Sequence, residues 1–307
     1  MYYIYKSNNG KIEEINTFEP GCWINMVAPS PQELDLMIQQ LHVDPSFLNA
    51  ALDVEETSRI EAEDDQTLIV VDVPTTEKED QKVIFETLPL GVITTKDCII
   101  TVCTKDTSVV NGFVSGQVRN VHTHMKTRFI LQILYRVATR FLFYLKQIDR
   151  ISKNVEKQLH RSLRNKELIL LLDLEKSLVF FSTSLKANEI TMERMRRGRF
   201  VKMYEEDEEL MEDVLIETKQ AIEMSNIYSS VLSGTMDAFA SVISNNLNIV
   251  MKVLTSITIL MAIPTMISSF YGMNVEGLPV PQFWFPIALS LGITGIAAIF
   301  LAKKDMF

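Results

Sequence analysis

The sequence lacks the short motifs that mark common enzymatic sites. It contains no GxGxxG or phosphate-binding loop, no HExxH zinc motif and no GxSxG nucleophile motif. Each of these motifs places a catalytic or cofactor-binding group on a defined turn or helix, so their absence argues against nucleotide-dependent enzymes, zinc proteases and serine hydrolases. We therefore expect that the protein is not an enzyme.

Cysteine and histidine are also scarce. The three cysteines, Cys22, Cys98 and Cys103, form no CxxC pair, which favours a reducing cytosol for the part of the chain that contains them. His122 and His124 are close in sequence, but no cysteine or carboxylate follows at ligand spacing. We interpret them as surface residues rather than metal ligands.

Positive charge is in deficit, with 30 Lys and Arg against 39 Asp and Glu and a net charge of −9. This balance argues against a nucleic-acid partner. The basic cluster from Arg194 to Arg199 could bind phosphate, but a helix end followed by the acidic run Glu205–Glu209 explains it equally simply, and we favour that interpretation. The first residues, MYYIYKSNNG, do not resemble a signal peptide.

Charge is absent from Val253 to Val275. A helix rises about 1.5 Å per residue, so this run can cross a hydrocarbon core of about 30 Å. Its small and hydroxyl residues recur at steps of three and four: Thr255, Thr258, Ala262, Thr265, Ser269 and Gly272. That spacing predicts a small, polar stripe facing helices or a pore. The bulkier residues fall largely on the other side and are expected to face lipid: Val253, Ile257, Leu260, Pro264 and Ile267.

A second charge-free run covers 277–302, with a helical core predicted over Phe283–Leu301. Phe283, Trp284 and Phe285 fit an interfacial aromatic belt. Lys252 precedes the first span, and Lys303 and Lys304 follow the second. The positive-inside rule therefore predicts a plasma-membrane hairpin with both termini in the cytoplasm.

The remaining sequence predicts an α+β fold. Residues 1–122 form a mixed α/β domain with an Asn9-Gly10 turn, a helix from Pro31 to about Leu41 and a second, short helix after Pro45. We predict an acidic loop over 75–81. The predicted strands are Tyr2–Tyr5, Cys22–Val27, Thr67–Val73, Val83–Ile93 and Cys98–Cys103.

From about Met125 the pattern changes to long helices. Leucines and aromatic residues recur at helical spacing to Leu159, a second helix is predicted over about 166–195, and a third begins near Glu205 with no proline before Pro264. We expect antiparallel long helices over 123–248, the last continuing as a stalk into the first span. The membrane hairpin then occupies 249–307, with spans at about 250–272 and 283–302.

The first span ends in Tyr271-Gly272-Met273-Asn274, directly before the short loop and the final span. With the pre-membrane segment MDAFASVISNNLNIVMKVLT (236–255), this motif resembles the CorA-type magnesium transporters. The resemblance covers the whole chain, most strongly from about 205. It implies a homopentameric channel for divalent cations in a lipid bilayer, with Mg²⁺ as both the transported and the regulatory ion.

The resemblance also implies roles for individual residues. A selectivity filter would consist of Tyr271, Gly272, Met273 and Asn274. A neutral ring of Asn274 carbonyls suits a hydrated Mg²⁺, since carbonyl oxygens accept hydrogen bonds from its tightly held waters. The pore would be lined by Asn248, Met251, Leu254, Thr258, Thr265 and Ser269, with Met251 and Leu254 as a hydrophobic gate. Ordinary helix packing is the alternative for those two residues.

Cytosolic Mg²⁺ at subunit interfaces would hold such a channel shut. The matching carboxylates are Asp213 and Asp237 on the long helix, with Glu77, Glu79 or Asp80 as partners in the predicted loop. Two carboxylates facing one another repel unless a divalent ion bridges them, so loss of the ion would loosen the assembly. Solvated helix faces are the alternative for both aspartates.

The sequence departs from the family pattern in two places. The loop after the motif is Glu276-Gly277-Leu278-Pro279, with a single carboxylate, and Ala262 stands at a pore position often filled by methionine. Ion preference is therefore open, and Co²⁺, Ni²⁺ or Zn²⁺ transport by the same fold is the nearest alternative. A membrane-tethered coiled-coil scaffold or sensor is the alternative from another class.

Overall fold

The computed structural model describes residues 1–79, 82–162, 165–198, 200–274, 277, 279–280, 282–304 and 306. The chain forms two compact units, Met1–Ser233 and Gly234–Phe307. The strands are β1 (Tyr2–Asn8), β2 (Lys11–Ile15), β3 (Trp23–Val27), β4 (Arg59–Glu63), β5 (Gln66–Glu79), β6 (Lys82–Thr94) and β7 (Ile99–Cys103). The helices are α1 (Pro31–Leu41), α2 (Pro45–Leu52), α3 (Ser108–Val114), α4 (Lys126–Ser162), α5 (Asn165–Arg197), α6 (Glu205–Tyr271) and α7 (Trp284–Lys303).

The first unit is built on a mixed sheet. Among the described residues its strand order is β2-β1-β3-β7-β6-β5-β4, with β3 and β7 parallel and the other neighbours antiparallel. Asn9 and Gly10 join β1 to β2 with positive φ angles of 49° and 77°. Asparagine and glycine tolerate this left-handed conformation, so the turn predicted from the sequence is confirmed.

The acidic loop predicted over 75–81 is wrong for the residues described there. Residues 75–79 extend β5, which pairs with β6 in a long hairpin; Thr75 lies opposite Glu86 and Glu77 opposite Ile84. Cross-strand pairing and the burial of Phe85 on the partner strand stabilise this extension despite its polar composition. Asp80 lies outside the described residues, as does the side chain of Glu79.

Two further elements were not predicted. β4 contains mostly charged residues, and it is recruited by its pairing with β5, where Ile60 lies opposite Ile69. α3 has the sequence SVVNGFV, whose β-branched residues and glycine give little helical signal. Its start is set by Thr107, whose side-chain oxygen accepts a hydrogen bond from the Val110 amide at 3.3 Å.

The sheet has a buried core on each face. One face packs Cys22, Ile24 and Met26 of the β3 region with residues of α1 and α2 such as Met37 and Phe47. Trp23 is fully buried on the other face. Its ring lies 5.0 Å from Tyr5, 5.2 Å from Phe129 and 6.1 Å from Phe113, and its indole N–H donates to Thr101 Oγ1 at 2.9 Å.

The long helices of the first unit are antiparallel, as predicted. Phe141 of α4 and Phe181 of α5 stack edge to face at 5.1 Å, at similar distances along the chain from the connection between the two helices. α5 is anchored to the sheet by the fully buried Asn188, which accepts from the Asp72 amide and donates to the Asp72 carbonyl, both at 2.9 Å. Ser225 of α6 donates to the Leu178 carbonyl of α5 at 2.9 Å.

The second unit contains the remainder of α6, from Gly234, and α7. Both helices include segments long and apolar enough to cross a membrane, and their ends at Tyr271 and Lys303 agree with the predicted spans. Trp284 opens α7 and is 60% exposed. Most residues of the first span are exposed or partly exposed, but Ser256 is fully buried. Its hydroxyl donates to the carbonyl oxygen of Met306 at 2.9 Å.

Candidate functional site

One side of the span segment of α6 is shielded within the second unit. The less exposed residues recur at helical spacing: Val253, Ser256, Leu260, Ile263, Pro264, Ile267 and Tyr271. Two contacts show what this side meets. Ser256 bonds to Met306 beyond the end of α7, and the Tyr271 ring lies 6.1 Å from the ring of Phe285 in α7. The shielded side of α6 therefore faces α7 and the segment that follows it.

The opposite side of α6 carries the predicted pore-lining residues. All six are exposed: Asn248, Met251, Leu254, Thr258, Thr265 and Ser269. At about 100° per residue, all of them except Asn248 fall on one stripe roughly opposite Ser256, and Asn248 lies at the edge of that stripe. Thr255, Ala262 and Gly272 are exposed on the same side. The structure leaves this side of α6 uncovered within one chain, and the pore-lining role of these residues stays a prediction.

The prediction that the bulky residues face lipid needs correction. Val253, Leu260, Pro264 and Ile267 are partly shielded, whereas Ile257 alone of that predicted set is clearly exposed, at 48%. A single chain supplies only one neighbouring span, and α7 covers the bulky side because large apolar side chains give it more contact area than the stripe does. The polar stripe therefore remains available to another chain or to water.

Two threonines of the stripe, Thr258 and Thr265, have oriented hydroxyl groups. Thr258 Oγ1 donates to the Leu254 carbonyl at 2.8 Å, and Thr265 Oγ1 donates to the Met261 carbonyl at 3.0 Å. With each proton committed to the preceding helical turn, the oxygen lone pairs remain as acceptors. Such a surface accepts hydrogen bonds from water, including the polarised waters around a cation.

Met251 and Leu254 lie one turn apart near the start of the span and are 52% and 57% exposed. Leu247, one turn before Met251, is also exposed, at 63%. Because Thr258 follows Leu254 on the outer side, Met251 and Leu254 lie where the stripe changes from apolar to hydroxyl side chains.

The motif at the end of α6 closes the helix and exposes its last residues. The Gly272 amide donates to the Ser268 carbonyl at 2.9 Å, and the Tyr271 hydroxyl donates to the Pro279 carbonyl at 3.0 Å. Tyr271 is thereby turned toward the loop and α7 rather than toward the stripe. Met273 is 53% exposed, and Asn274 is also exposed.

The predicted regulatory carboxylates are not gathered within one chain. Asp213 and Asp237 are both exposed on α6. Burial, and then the negative charges of Glu217 and Asp213, raise the pKa of Tyr135 on α4. Glu77 is paired with Lys105 at 2.9 Å. Among the described residues no group of three or more His, Cys, Asp or Glu is arranged to hold a metal ion.

The two histidines singled out in the sequence contact each other, and the basic cluster contacts a nearby side chain. The rings of His122 and His124 lie 5.6 Å apart and face each other edge to face. Arg196 and Arg197 pair with Glu193 one turn earlier on α5, at 2.8 and 3.5 Å. These ion pairs agree with the interpretation of the basic cluster as a helix end.

Sequence reasoning missed the contact between Ser256 and Met306. A sequence signal for it did exist, because Ser256 is a hydroxyl residue in the span that falls outside the polar stripe. In a membrane helix such a residue needs a hydrogen-bond partner. The sequence offered no means of naming a backbone carbonyl beyond the second span as that partner.

Together, the α/β unit, the long helices and the two C-terminal spans define a membrane protein with a polar stripe on its first span. The family model described as CorA-like Mg2+ transporter protein matches residues 19–304, and the chain belongs to that family. Its members are ion transporters, so the protein is not an enzyme.

Individual relatives agree with this membership. The cobalt/magnesium transport protein CorA of Methanocaldococcus jannaschii is 29% identical over 302 residues, which cover 92% of this chain and 90% of the relative. The protein of the same name from Thermotoga maritima is 24% identical and covers 91% of this chain and 80% of the relative. The solved structure of the Methanocaldococcus jannaschii CorA magnesium transporter has a TM-score of 0.82 at 24% identity and covers 99% of this chain and 96% of that one.

Proposed function

We propose that the protein conducts hydrated Mg²⁺ across the plasma membrane as a homopentamer, with Co²⁺ and Ni²⁺ as further ions it accepts. Family membership supports the transport of a divalent cation, and two relatives are named as cobalt/magnesium transport proteins. Zn²⁺ transport, or a scaffold that is merely anchored in the membrane, finds no comparable support.

The observation that carries the proposal is the uncovered stripe on α6. In a scaffold anchor, exposed threonine and serine hydroxyls in the middle of a lipid-facing helix would have no purpose. Around a symmetry axis, the same stripes from several chains enclose a column of hydrogen-bond acceptors. Thr258 and Thr265 offer fixed lone pairs there, and these suit the outward-pointing hydrogens of a cation's water shell.

The selectivity step is assigned to Asn274. A ring of amide carbonyls is neutral and accepts hydrogen bonds, so it holds the waters of Mg²⁺ without stripping them. Tyr271 acts differently, because its hydroxyl is already bonded to Pro279. In this proposal Tyr271 positions the turn that presents Gly272, Met273 and Asn274.

Closure is assigned to the apolar side chains of Met251 and Leu254, which exclude water when the stripes approach one another. Cytosolic Mg²⁺ would favour that state by bridging exposed carboxylates of neighbouring subunits. Asp213 and Asp237 are the candidates from α6, with Glu79 and Asp80 as their partners. Glu77 is a weaker partner, since Lys105 already neutralises it.

Lysines flank both spans, at Lys252 before the first and at Lys303 and Lys304 after the second. By the positive-inside rule the α/β unit and both termini lie in the cytoplasm, with the segment between the spans outside. Asn274 would then form the outer end of the pathway, and Met251 and Leu254 the inner end.

The test is Mg²⁺ uptake into proteoliposomes, followed with an entrapped Mg²⁺-sensitive dye. We expect Asn274→Ala to lower uptake by about tenfold or more, because lost hydrogen bonds to the hydrated ion cost about 1 kcal/mol each. Asn246→Ala is the matched control, since Asn246 is also an exposed asparagine but lies within α6 and off the stripe.

The same assay separates the alternatives. Equal rates for the wild type and Asn274→Ala would disprove the role of Asn274 while leaving transport intact. No uptake of any divalent ion by the wild type would disprove transport and favour a scaffold. Uptake of Zn²⁺ but not Mg²⁺ would show that a protein of this fold transports Zn²⁺ instead.

A further inference from the structure

Two of the three cysteines lie side by side on neighbouring strands. Cys22 directly precedes β3 and Cys98 directly precedes β7, and these parallel strands pair Trp23 with Ile99. The same register places Cys22 beside Cys98. The Ile99 amide donates to the Cys22 carbonyl at 3.2 Å, so the two strands are hydrogen-bonded at this point.

The two side chains point to the same face of the sheet. Both belong to the core packed beneath α1 and α2, together with Ile24 and Ile100 of the same strands, and each cysteine is 1% exposed. Adjacent strands lie about 4.8 Å apart, within the range of Cα separations that a disulfide spans.

The thiols also interact chemically. The neighbouring Cys98 thiol lowers the pKa of the Cys22 thiol to about 7; burial opposes this shift, and the positive charge of Lys6 adds a smaller lowering effect. Thr95 Oγ1 lies 3.3 Å from Cys98 Sγ. Lys126 Nζ is fixed nearby by the Thr95 and Lys96 carbonyls at 2.6 and 2.5 Å. The neighbouring Cys22 and burial nevertheless raise the pKa of Cys98, so Cys22 is the thiol that becomes the reactive thiolate and Cys98 the one that keeps its proton.

The pair lies at the rim of the sheet, although both side chains are buried. Cys98 ends the short turn between β6 and β7, which is closed by a hydrogen bond from the Thr95 amide to the Cys98 carbonyl at 3.0 Å. Its neighbours Lys96 and Asp97 are exposed, as are Glu19 and Pro20 just before Cys22. The turns that lead into both cysteines are therefore at the surface, and local opening of such turns costs less than unfolding the sheet.

We propose that Cys22 and Cys98 form a reversible dithiol–disulfide site that reacts with small disulfides such as oxidised glutathione. The Cys22 thiolate attacks the small disulfide, forms a mixed disulfide and releases one small thiolate. Cys98 then gives up its proton and attacks the Cys22 sulfur, which releases the second small thiolate. In total two protein thiols are oxidised to one disulfide and one small disulfide is reduced to two small thiols.

Cys103 provides an internal control. It is as buried as the pair, at 2% exposed, and it lies on the same strand, β7. Its register partners are Val27 and Leu90, and its thiol donates to the Pro89 carbonyl at 3.4 Å. Because no thiol is adjacent to it, Cys103 should remain reduced when the pair is oxidised.

The experiment uses the full chain in detergent or lipid, equilibrated with excess oxidised glutathione and then unfolded in an alkylating reagent. We expect one alkylated cysteine per chain, Cys103, and a Cys22–Cys98-linked peptide in the mass spectrum of the digest. Treatment with a small dithiol before alkylation should restore all three alkylated sites.

Matched variants sharpen the result. Cys103→Ser should still form the internal bond, whereas Cys22→Ser and Cys98→Ser should form none. Peptide mapping of the wild type gives the answer even if a variant fails to fold. Three alkylated cysteines after oxidation of the wild type, a bond that includes Cys103, or a bond between chains would each overturn the proposal.

Discussion

The carboxylate of Glu33 links the start of α1 to the N-terminus of the chain. It closes the capping box at the start of α1, where its side chain accepts from the Ser30 amide at 2.7 Å and the Glu33 amide donates to Ser30 Oγ at 3.3 Å. The N-terminal ammonium of Met1 lies 3.0 Å from the same carboxylate. The hydrogen bond from the Ser30 amide, followed by the bond from the terminal ammonium, lowers the pKa of Glu33.

This shift predicts a dependence of stability on pH. A carboxyl whose pKa is lowered on folding contributes stability above its unfolded pKa of about 4.3, and that contribution is lost as the pH falls through the folded pKa. We expect Glu33→Gln to unfold at a lower denaturant concentration than the wild type at pH 7, with the difference shrinking in acid. Denaturant unfolding of the full chain at several pH values measures this.

Asp35→Asn is the control for that series, because Asp35 is an exposed carboxylate of the same helix. A difference between wild type and Glu33→Gln that stays constant as the pH falls would contradict the assigned role of the ionised Glu33.

At the residue scale, the sequence predicted those features that depend only on the chemical type of a residue and on its spacing along the chain, such as which side chains are buried. The periodic residues of α4, among them Leu131, Phe141 and Leu159, are buried as expected. The role of Asn188 was not predictable, because a single asparagine in a helix carries no sign of the strand it will bond. Likewise, the commitment of the Thr258 hydroxyl to the Leu254 carbonyl depends on the side-chain rotamer and not on composition.

At the scale of elements, the approach of α2 to the sheet depends on one glycine. A Cβ added to Gly91 of β6 would overlap the Cβ of Ala51 in α2 and lie 3.2 Å from its Cα. The obstacle is backbone and a short side chain rather than a flexible one, so it cannot move aside cheaply. The absence of a side chain at Gly91 is therefore what allows α2 to pack at this distance.

We expect Gly91→Ala to destabilise the first unit by about 1–3 kcal/mol, the usual cost of overpacking a core. Gly234→Ala is the matched control. Gly234 lies within α6 with nothing near an added Cβ, so alanine should stabilise the helix by up to about 1 kcal/mol. Denaturant unfolding of both variants measures these changes, and equal midpoints would contradict the packing argument.

Helices and strands were predicted more accurately where the periodic pattern of apolar residues was longer. α4 to α7 were predicted to within a few residues, because many turns of the same periodicity determine them. The end of β5 was assigned to a loop because Thr75, Thr76 and Glu77 are polar, whereas pairing with β6 decides their conformation. Tertiary pairing of this kind leaves no local trace in a sequence.

At the scale of the whole molecule, the proposed channel has no coupled reaction to drive it, so the membrane potential must supply the energy. A charge crossing 100 mV gains about 2.3 kcal/mol, and a divalent ion gains twice that. We expect Mg²⁺ uptake by proteoliposomes to increase when a K⁺ gradient with valinomycin makes the interior negative, and to decrease when the gradient is reversed.

Asn274→Ala under the same gradients controls for leaks, and empty liposomes give the background. Uptake that is the same for both signs of the potential would exclude a channel and point to electroneutral exchange.

The surface of α6 was predictable in part. Hydroxyl spacing predicted which small and polar residues share one side of the helix, and their role as a pathway that ends at Asn274 stays a prediction. Which side of α6 meets α7 could not be derived, because both sides offer apolar atoms and the outcome depends on the fit of two helices. The bulky residues were therefore predicted to face lipid, whereas in the structure most of them are partly shielded on the side that faces α7.

The two tryptophans form a built-in pair of optical probes. Trp23 is fully buried among aromatic rings in the first unit, and Trp284 is 60% exposed at the start of α7 in the second. Their emission maxima should differ, since a buried indole emits at shorter wavelength than a solvated one. Replacing either residue with phenylalanine would assign each band, so that one fluorescence experiment without a label follows both units separately.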